Sequence, residues 1–221
     1  MLGACPGGSL PRREPVFCGT ALAREFSPGR RSSSRASALP QTHTLDAQSA
    51  LGGRDGYRDA DPMRVLIAFA SLSGNTRDVA RMVRACCEAR GHAVTWIEAD
   101  IAGLEAAGED PRHDLYLLGA WTDNAGRTPV EMKRFIAALV EAVGMPGPIA
   151  AFGTGETQWG EAYYCGAVRR ISRYFDSPYP TLEIEQMPHG ERDALRIRHW
   201  TDHILTSIEN ARHADPARVV A

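Results

Sequence analysis

The chain has 221 residues, with 25 Lys plus Arg against 27 Asp plus Glu and a formal net charge of −2. This slightly acidic balance disfavours nucleic acid as a partner and suits docking on basic protein surfaces. The five cysteines (Cys5, Cys18, Cys86, Cys87, Cys165) form no CxxC pair and are odd in number, so neither a disulfide framework nor a zinc site is indicated, and no apolar run is long enough to span a bilayer.

Residues 1–62 are rich in Gly, Pro, Ser and Arg, as in Pro28-Gly29-Arg30-Arg31-Ser32-Ser33-Ser34-Arg35, and carry no sustained apolar period. Such a segment cannot bury enough surface to offset its ordering entropy, and a disordered extension is expected. Arg12-Arg13 is followed by no apolar core, which argues against secretion. Up to residue 45, six Arg stand against two acidic residues, which loosely resembles an organelle transit peptide. The other reading is an upstream extension with Met63 as the functional start, favoured because Met63 opens directly into a strand. Residues 63–221 hold 17 basic and 21 acidic residues and suffice for one three-layer α/β domain. A soluble, cytoplasmic protein is expected.

Met63 to Ala70 is short and nearly all apolar, as in a parallel strand buried on both faces. After the hexapeptide Ser71-Leu72-Ser73-Gly74-Asn75-Thr76, apolar residues recur with helical spacing at Val79, Met82, Val83 and Cys86, and Gly91 ends the helix after about Arg90. A second strand is expected at Ala93–Glu98, a short helix at 102–107 and a third strand at Asp114–Gly119. Thr128 reads as an N-cap and Pro129 as the first residue of a helix that buries Met132, Phe135, Ile136 and Leu139. Pro148–Gly153 is a fourth strand, followed by a helix from about Tyr163 to Phe175. A fifth strand spans Thr181–Ile184, and a last helix runs from about Arg192 to Arg212. Strands alternating with helices mean a parallel sheet covered on both faces, with ligands beyond the carboxyl ends of the strands. Three loops lie there: 71–76, 120–128 and 154–163.

The first of these loops is a strand-to-helix turn crowded with hydroxyls, which aims N–H groups and Ser/Thr hydroxyls at one point beside the positive end of a helix dipole. That is a phosphate cradle. It has no lysine, so it is not a nucleotide P-loop, and with only Gly74 it is not a dinucleotide turn. Ser71 stands where a cysteine-based phosphatase would have its nucleophile, and no acidic residues end the strand as in a phosphoacceptor domain. What remains is a terminal phosphate held by neutral donors. The pattern resembles the first loop of the flavodoxin family, Ser/Thr-x-Ser/Thr-Gly-Asn-Thr, which binds the phosphate of FMN.

The other two loops are Ala120-Trp121-Thr122-Asp123-Asn124-Ala125-Gly126-Arg127 and Thr154-Gly155-Glu156-Thr157-Gln158-Trp159-Gly160. Each offers a Trp beside hydrogen-bonding residues, a pairing able to sandwich a flat ring. Gly153-Thr154-Gly155-Glu156-Thr157-Gln158-Trp159 resembles the flavodoxin Gly-x-Gly-Asp-x-x-Tyr loop, which gives Trp159 the stacking role. Tyr164-Cys165-Gly166-Ala167-Val168 matches the start of the following helix. Two departures stand out. Two extra residues separate Trp159 from Cys165, and Trp121 precedes Thr122 where the family commonly has Thr before Trp. The resemblance covers all of 63–221, without room for the strand-five insertion of longer members, so it is to a short-chain flavodoxin.

That resemblance implies a flavodoxin-like α/β/α sandwich with strand order 2-1-3-4-5. It also implies a monomeric one-electron carrier using FMN, which serves redox partner proteins such as a flavodoxin or ferredoxin reductase and acceptor enzymes. The cofactor-binding residues would be Ser71, Leu72, Ser73, Gly74, Asn75, Thr76, Trp121, Thr122, Asp123, Asn124, Gly126, Gly153, Thr154, Gly155, Glu156 and Trp159. Asp123, Glu156 and the uncompensated phosphate would oppose added negative charge and lower the potential. A carbonyl in 123–126 would accept a hydrogen bond from the flavin N5–H after a peptide flip that Gly126 permits. The alternatives are a single-domain FMN-dependent NAD(P)H or quinone oxidoreductase and a flavoprotein activator of ribonucleotide reductase. His199 and His203, and Arg169, Arg170 and Arg173, read as solvated helix faces, and Cys165 as a core residue.

Overall fold

The computed structural model describes residues 61–214, so nearly all of the predicted 1–62 extension, with Cys5 and Cys18, lies outside the described residues. The strands are β1 (Arg64–Ala70), β2 (Ala93–Glu98), β3 (Leu115–Trp121), β4 (Ile149–Gly155) and β5 (Leu182–Glu185). The helices are α1 (Asn75–Ala89), α2 (Val130–Val143), α3 (Gly166–Tyr174) and α4 (Gly190–Ala214). The strands form one parallel sheet in the order β2-β1-β3-β4-β5, as expected. No helix among the described residues is long and apolar enough to cross a membrane.

Alternation along the central strands sorts the core into two layers. Val65, Ile67, Phe69, Leu117, Ala150 and Phe152 pack with Val79, Val83 and Cys87 of α1 and with Ile197, Trp200, Ile204 and Ile208 of α4. Leu66, Ala68, Leu118, Ala120 and Ala151 pack with Met132, Phe135 and Leu139 of α2 and with Val168 and Ile171 of α3. At Gly119 a Cβ would fall 2.4 Å from Phe152 Cζ, so a side chain there would displace the Phe152 ring.

The structure moves several predicted boundaries. Trp121, Thr154 and Gly155, expected in loops, continue the ladder, with Trp121 paired to Thr154. Pro129 is the N-cap of α2 rather than its first residue, because its ψ of 150° is extended and the helix opens at Val130. The short helix shrinks to a 3-10 turn at Leu104–Ala107. Helix α3 starts at Gly166 because Cys165, with φ 46°, is left-handed and breaks any earlier turn. On α1 the buried thiol is Cys87, while Cys86 is half-buried.

At the amino end of the sheet, α4 is clamped to the corner after α1. Arg90 and the buried His92 both face Glu209, with His92 Nε2 at 3.2 Å from Glu209 Oε1. The Met63 N–H donates to His92 Nδ1 at 3.4 Å. Burial lowers the His92 pKa, against the opposing pull of Glu209. The unfolded chain therefore takes up the proton first, near the ordinary histidine value of about 6.5. The stability contributed by neutral His92 is full above that pH and is lost as the pH falls through it toward the folded value. Urea midpoints measured between pH 7.5 and 5.5 should show the gap between wild type and His92→Gln narrowing on acidification; parallel curves would count against this role.

Candidate functional site

The chain leaves β1 toward β2 on one side and returns to β3 on the other, so a crevice opens between the loops at the carboxyl ends of β1 and β3. A cleft of about 510 Å³ lies there, within the usual size of ligand sites. Its walls come from the segments after β1, β3, β4 and β5.

The β1 segment is the hydroxyl-rich turn. Gly74 is the N-cap of α1 with φ 94°, a left-handed conformation natural to glycine, and having no side chain it leaves the N–H groups of Asn75 and Thr76 uncapped. Ser73 and Asn75 line the cleft, and Leu72 is 76% exposed at its rim. Ser71 is buried and turned inward, where its Oγ accepts from the Arg77 N–H at 3.2 Å. Thr76 is also buried, and its hydroxyl shares a 2.9 Å hydrogen bond with that of Thr154, joining the start of α1 to the end of β4. Arg77 Nη1 would lie 3.7 Å from a Cβ on Gly74, but its guanidinium is bound to both Glu98 oxygens. The turn therefore offers an anion neutral donors and a helix dipole, with the neighbouring cation already neutralised.

The segment after β3 is a tight loop closed by a two-way backbone pair between Asp123 and Arg127, at 2.9 and 3.1 Å. Asp123 Oδ1 accepts from the Asn124 N–H at 2.7 Å. Ala125 and Gly126 are both left-handed, with φ of 55° and 73°. The Gly126 carbonyl, where sequence suggested freedom to flip, accepts from Arg170 Nε at 2.9 Å, and the Asn124 carbonyl accepts from Arg127 Nε at 2.9 Å. Thr122 lines the cleft, and its Oγ1 is buried and has no protein partner.

Beyond β4, a 3-10 turn at Thr157–Trp159 carries the second indole. Trp159 is 69% exposed, whereas Trp121 is half-buried against the α2–α3 side of the core. Gly153 and Gly155 are required by close contact: a Cβ would lie 2.0 Å from the Ala120 carbonyl oxygen at the first and 2.5 Å from the Cys165 amide nitrogen at the second. Burial pushes the Cys165 thiol up to about 12, so it is an inert core group. His199 and His203 are exposed on α4. Of the α3 arginines, Arg169 is paired with Glu183 and Arg170 with the Gly126 carbonyl, so this face is partly committed within the fold.

Twelve of the sixteen residues singled out from sequence line the cleft. Ser71, Gly74, Thr76 and Gly153 stand behind it as buried or backbone supports. Ala125, Tyr163 and Gln186 also line the cleft and were not singled out. The longer loop before Cys165 lays Tyr163 against Gly126, so its length was the signal. Gln186 follows β5 at the same sheet edge, where its N–H donates to the Gly155 carbonyl at 2.7 Å. The residues fit FMN: a neutral anion cradle for the phosphate, an unpartnered buried hydroxyl at Thr122, and an exposed indole beside one cleft.

Comparisons with known proteins agree with this geometry. The flavodoxin family profile matches residues 67–200. A flavodoxin of Nitratidesulfovibrio vulgaris is 28% identical over 151 residues, covering 65% of this chain and 98% of its own. A probable flavodoxin 2 of Bacillus subtilis is 26% identical over 135 residues, covering 59% and 87%. Among solved structures, oxidised flavodoxin 2 of Bacillus cereus superposes with a TM-score of 0.57 at 26% identity, covering 65% of this chain and 99% of its own.

A left-handed alanine is strained where glycine is not, and Ala125 is such a residue at the lip of the cleft. Ala125→Gly should therefore raise stability by up to about 1 kcal/mol in urea denaturation. In contrast, Gly155→Ala should lower it by about 2 kcal/mol or more, because its Cβ meets backbone that cannot swing aside.

Proposed function

The chain belongs to the flavodoxin family, and on that premise we propose that it is a low-potential FMN-dependent carrier moving single electrons between redox partner enzymes. We place it in the cytoplasm as a monomer, served by a flavodoxin or ferredoxin reductase and by acceptor enzymes. The observation that carries the reading is the meeting of a lysine-free, hydroxyl-lined helix N-terminus and an exposed Trp at the switch point of the sheet. FMN, the cofactor of the family, supplies the one-electron redox chemistry when bound.

The protein's own residues bind and tune. Ser73, Asn75 and the N–H groups of Asn75 and Thr76 at the start of α1 would hold the phosphate. The buried Thr76–Thr154 pair keeps that turn fixed to β4. Trp159 would cover the ring system, and Thr122 would offer its free hydroxyl. Asp123 and Glu156 set two carboxylates on the cleft wall, which oppose added negative charge and so favour a low potential. Leu72 and Trp159 leave an exposed rim where a partner can approach the redox group closely.

The test is titration of the purified chain with FMN and with riboflavin, followed by stepwise chemical reduction. Expected are tight FMN binding, riboflavin at least about 100-fold weaker because the phosphate contacts are lost, and two separated one-electron steps. Trp159→Ala should weaken FMN by roughly 2- to 10-fold through loss of an aromatic contact. Equal affinity for riboflavin and FMN would overturn the phosphate role. Oxidation of NAD(P)H by the protein alone, with a single two-electron reduction step, would replace the carrier by an oxidoreductase.

A further inference from the structure

The Trp159 indole, 69% exposed, is not held by packing, so its orientation rests on polar contacts. Its Nε1–H donates to Glu156 Oε2 at 2.8 Å, and the Gln158 side-chain amide donates to the same oxygen. The base of this turn is fixed independently. The Thr157 N–H donates to Glu185 Oε1 at 3.0 Å, and the Gln186 N–H donates to the Gly155 carbonyl at 2.7 Å. The main chain is thus anchored to the end of β5, and the bond to Glu156 is the polar contact that orients the ring. A hydrogen bond to a charged acceptor is stronger than a neutral one, enough to select a rotamer on an open surface.

We propose that Glu156 is a positioning residue, which holds the Trp159 ring over the cleft in the orientation that covers the cofactor. The role depends on the pairing of these two side chains, since only an aromatic residue with a ring N–H at position 159 can be tied in this way by a carboxylate three residues before it. The proposal rests on the FMN reading for its consequence, but the tie itself belongs to the protein alone.

Removing Glu156 has two opposite effects. Loss of the tie frees the ring and weakens FMN, while loss of the charge relieves repulsion of an anionic ligand and strengthens it. A double-mutant cycle separates them, because Trp159→Phe keeps a stacking ring without the donor. FMN dissociation constants would be measured for wild type, Glu156→Ala, Trp159→Phe and the double variant. The expected result is non-additivity of about 5-fold, with Glu156→Ala more harmful when Trp159 is present. Glu156→Gln, which keeps an acceptor oxygen without the charge, should restore binding beyond that of Glu156→Ala.

The second readout uses the protein without FMN: the indole ¹H–¹⁵N signal of Trp159 by NMR. It should shift in Glu156→Ala and lie nearer its wild-type position in Glu156→Gln. An additive cycle together with an unmoved indole signal overturns the positioning role. If wild type binds no FMN, the cofactor reading fails, and the indole signal alone then decides whether Glu156 holds the ring.

Discussion

The close approach of backbones at the carboxyl edge of the sheet is the constraint from which the rest of the site follows. A side chain at Gly153 would press on the Ala120 carbonyl and on Val168, one at Gly155 on the amide of Cys165, and one at Gly166 on the backbone of Gly126. β3, β4, α3 and the 123–127 loop therefore converge more tightly than side chains would allow. Each glycine inside an element sacrifices about 0.5–1 kcal/mol relative to alanine. The convergence is what that sacrifice secures, since it sets Trp121 beside Thr154 and Tyr163 against Gly126 around one cleft.

Charge around the cleft is arranged so that a phosphate there would be recognised by direction rather than by a countercharge. Arg77 sits one turn into α1 but is committed to Glu98, and Asp100 accepts from the Ser71 N–H at 3.4 Å. A bound phosphate would thus keep its negative charge, with Asp123 and Glu156 adding theirs on the cleft lining. Hydrogen-bond donors and a helix terminus can still bind it, because they stabilise an anion without cancelling its charge. The arrangement that would secure the cofactor would thereby also favour a low potential.

The sheet was legible in the sequence because its central strands are buried on both faces and read as unbroken apolar runs. Their ends were not. Trp121, Thr154 and Gly155 look like loop residues by type, and only the Trp121–Thr154 ladder pair shows that the strands continue. The hydroxyl-rich turn at the start of α1 was legible because its residues are consecutive in the chain. Tyr163 and Gln186 were not, since each reaches the cleft through tertiary contacts with Gly126 and Gly155. The left-handed Cys165 and Ala125 carry no sequence signal either, because neither residue type prefers that conformation.

The 123–127 loop shows how the same contacts limit motion. Of its first four carbonyls, that of Asp123 accepts from the Arg127 N–H, that of Asn124 from the Arg127 guanidinium, and that of Gly126 from Arg170. The Ala125 carbonyl is the one left without a protein donor among the four. A glycine's backbone freedom therefore does not by itself make Gly126 a hinge, because turning its carbonyl breaks a bond to a charged donor, a loss of about 1.5–3 kcal/mol. The strained φ of Ala125 works the other way, since leaving the left-handed region releases energy. A hydrogen bond from a bound ring N–H would thus have two routes in this loop: to the Ala125 carbonyl with no bond lost, or to the Asn124 carbonyl once Arg127 lets go. Which route is lower depends on whether the relief of strain at Ala125 exceeds the loss of the Arg127 contact, and both quantities are of the same order.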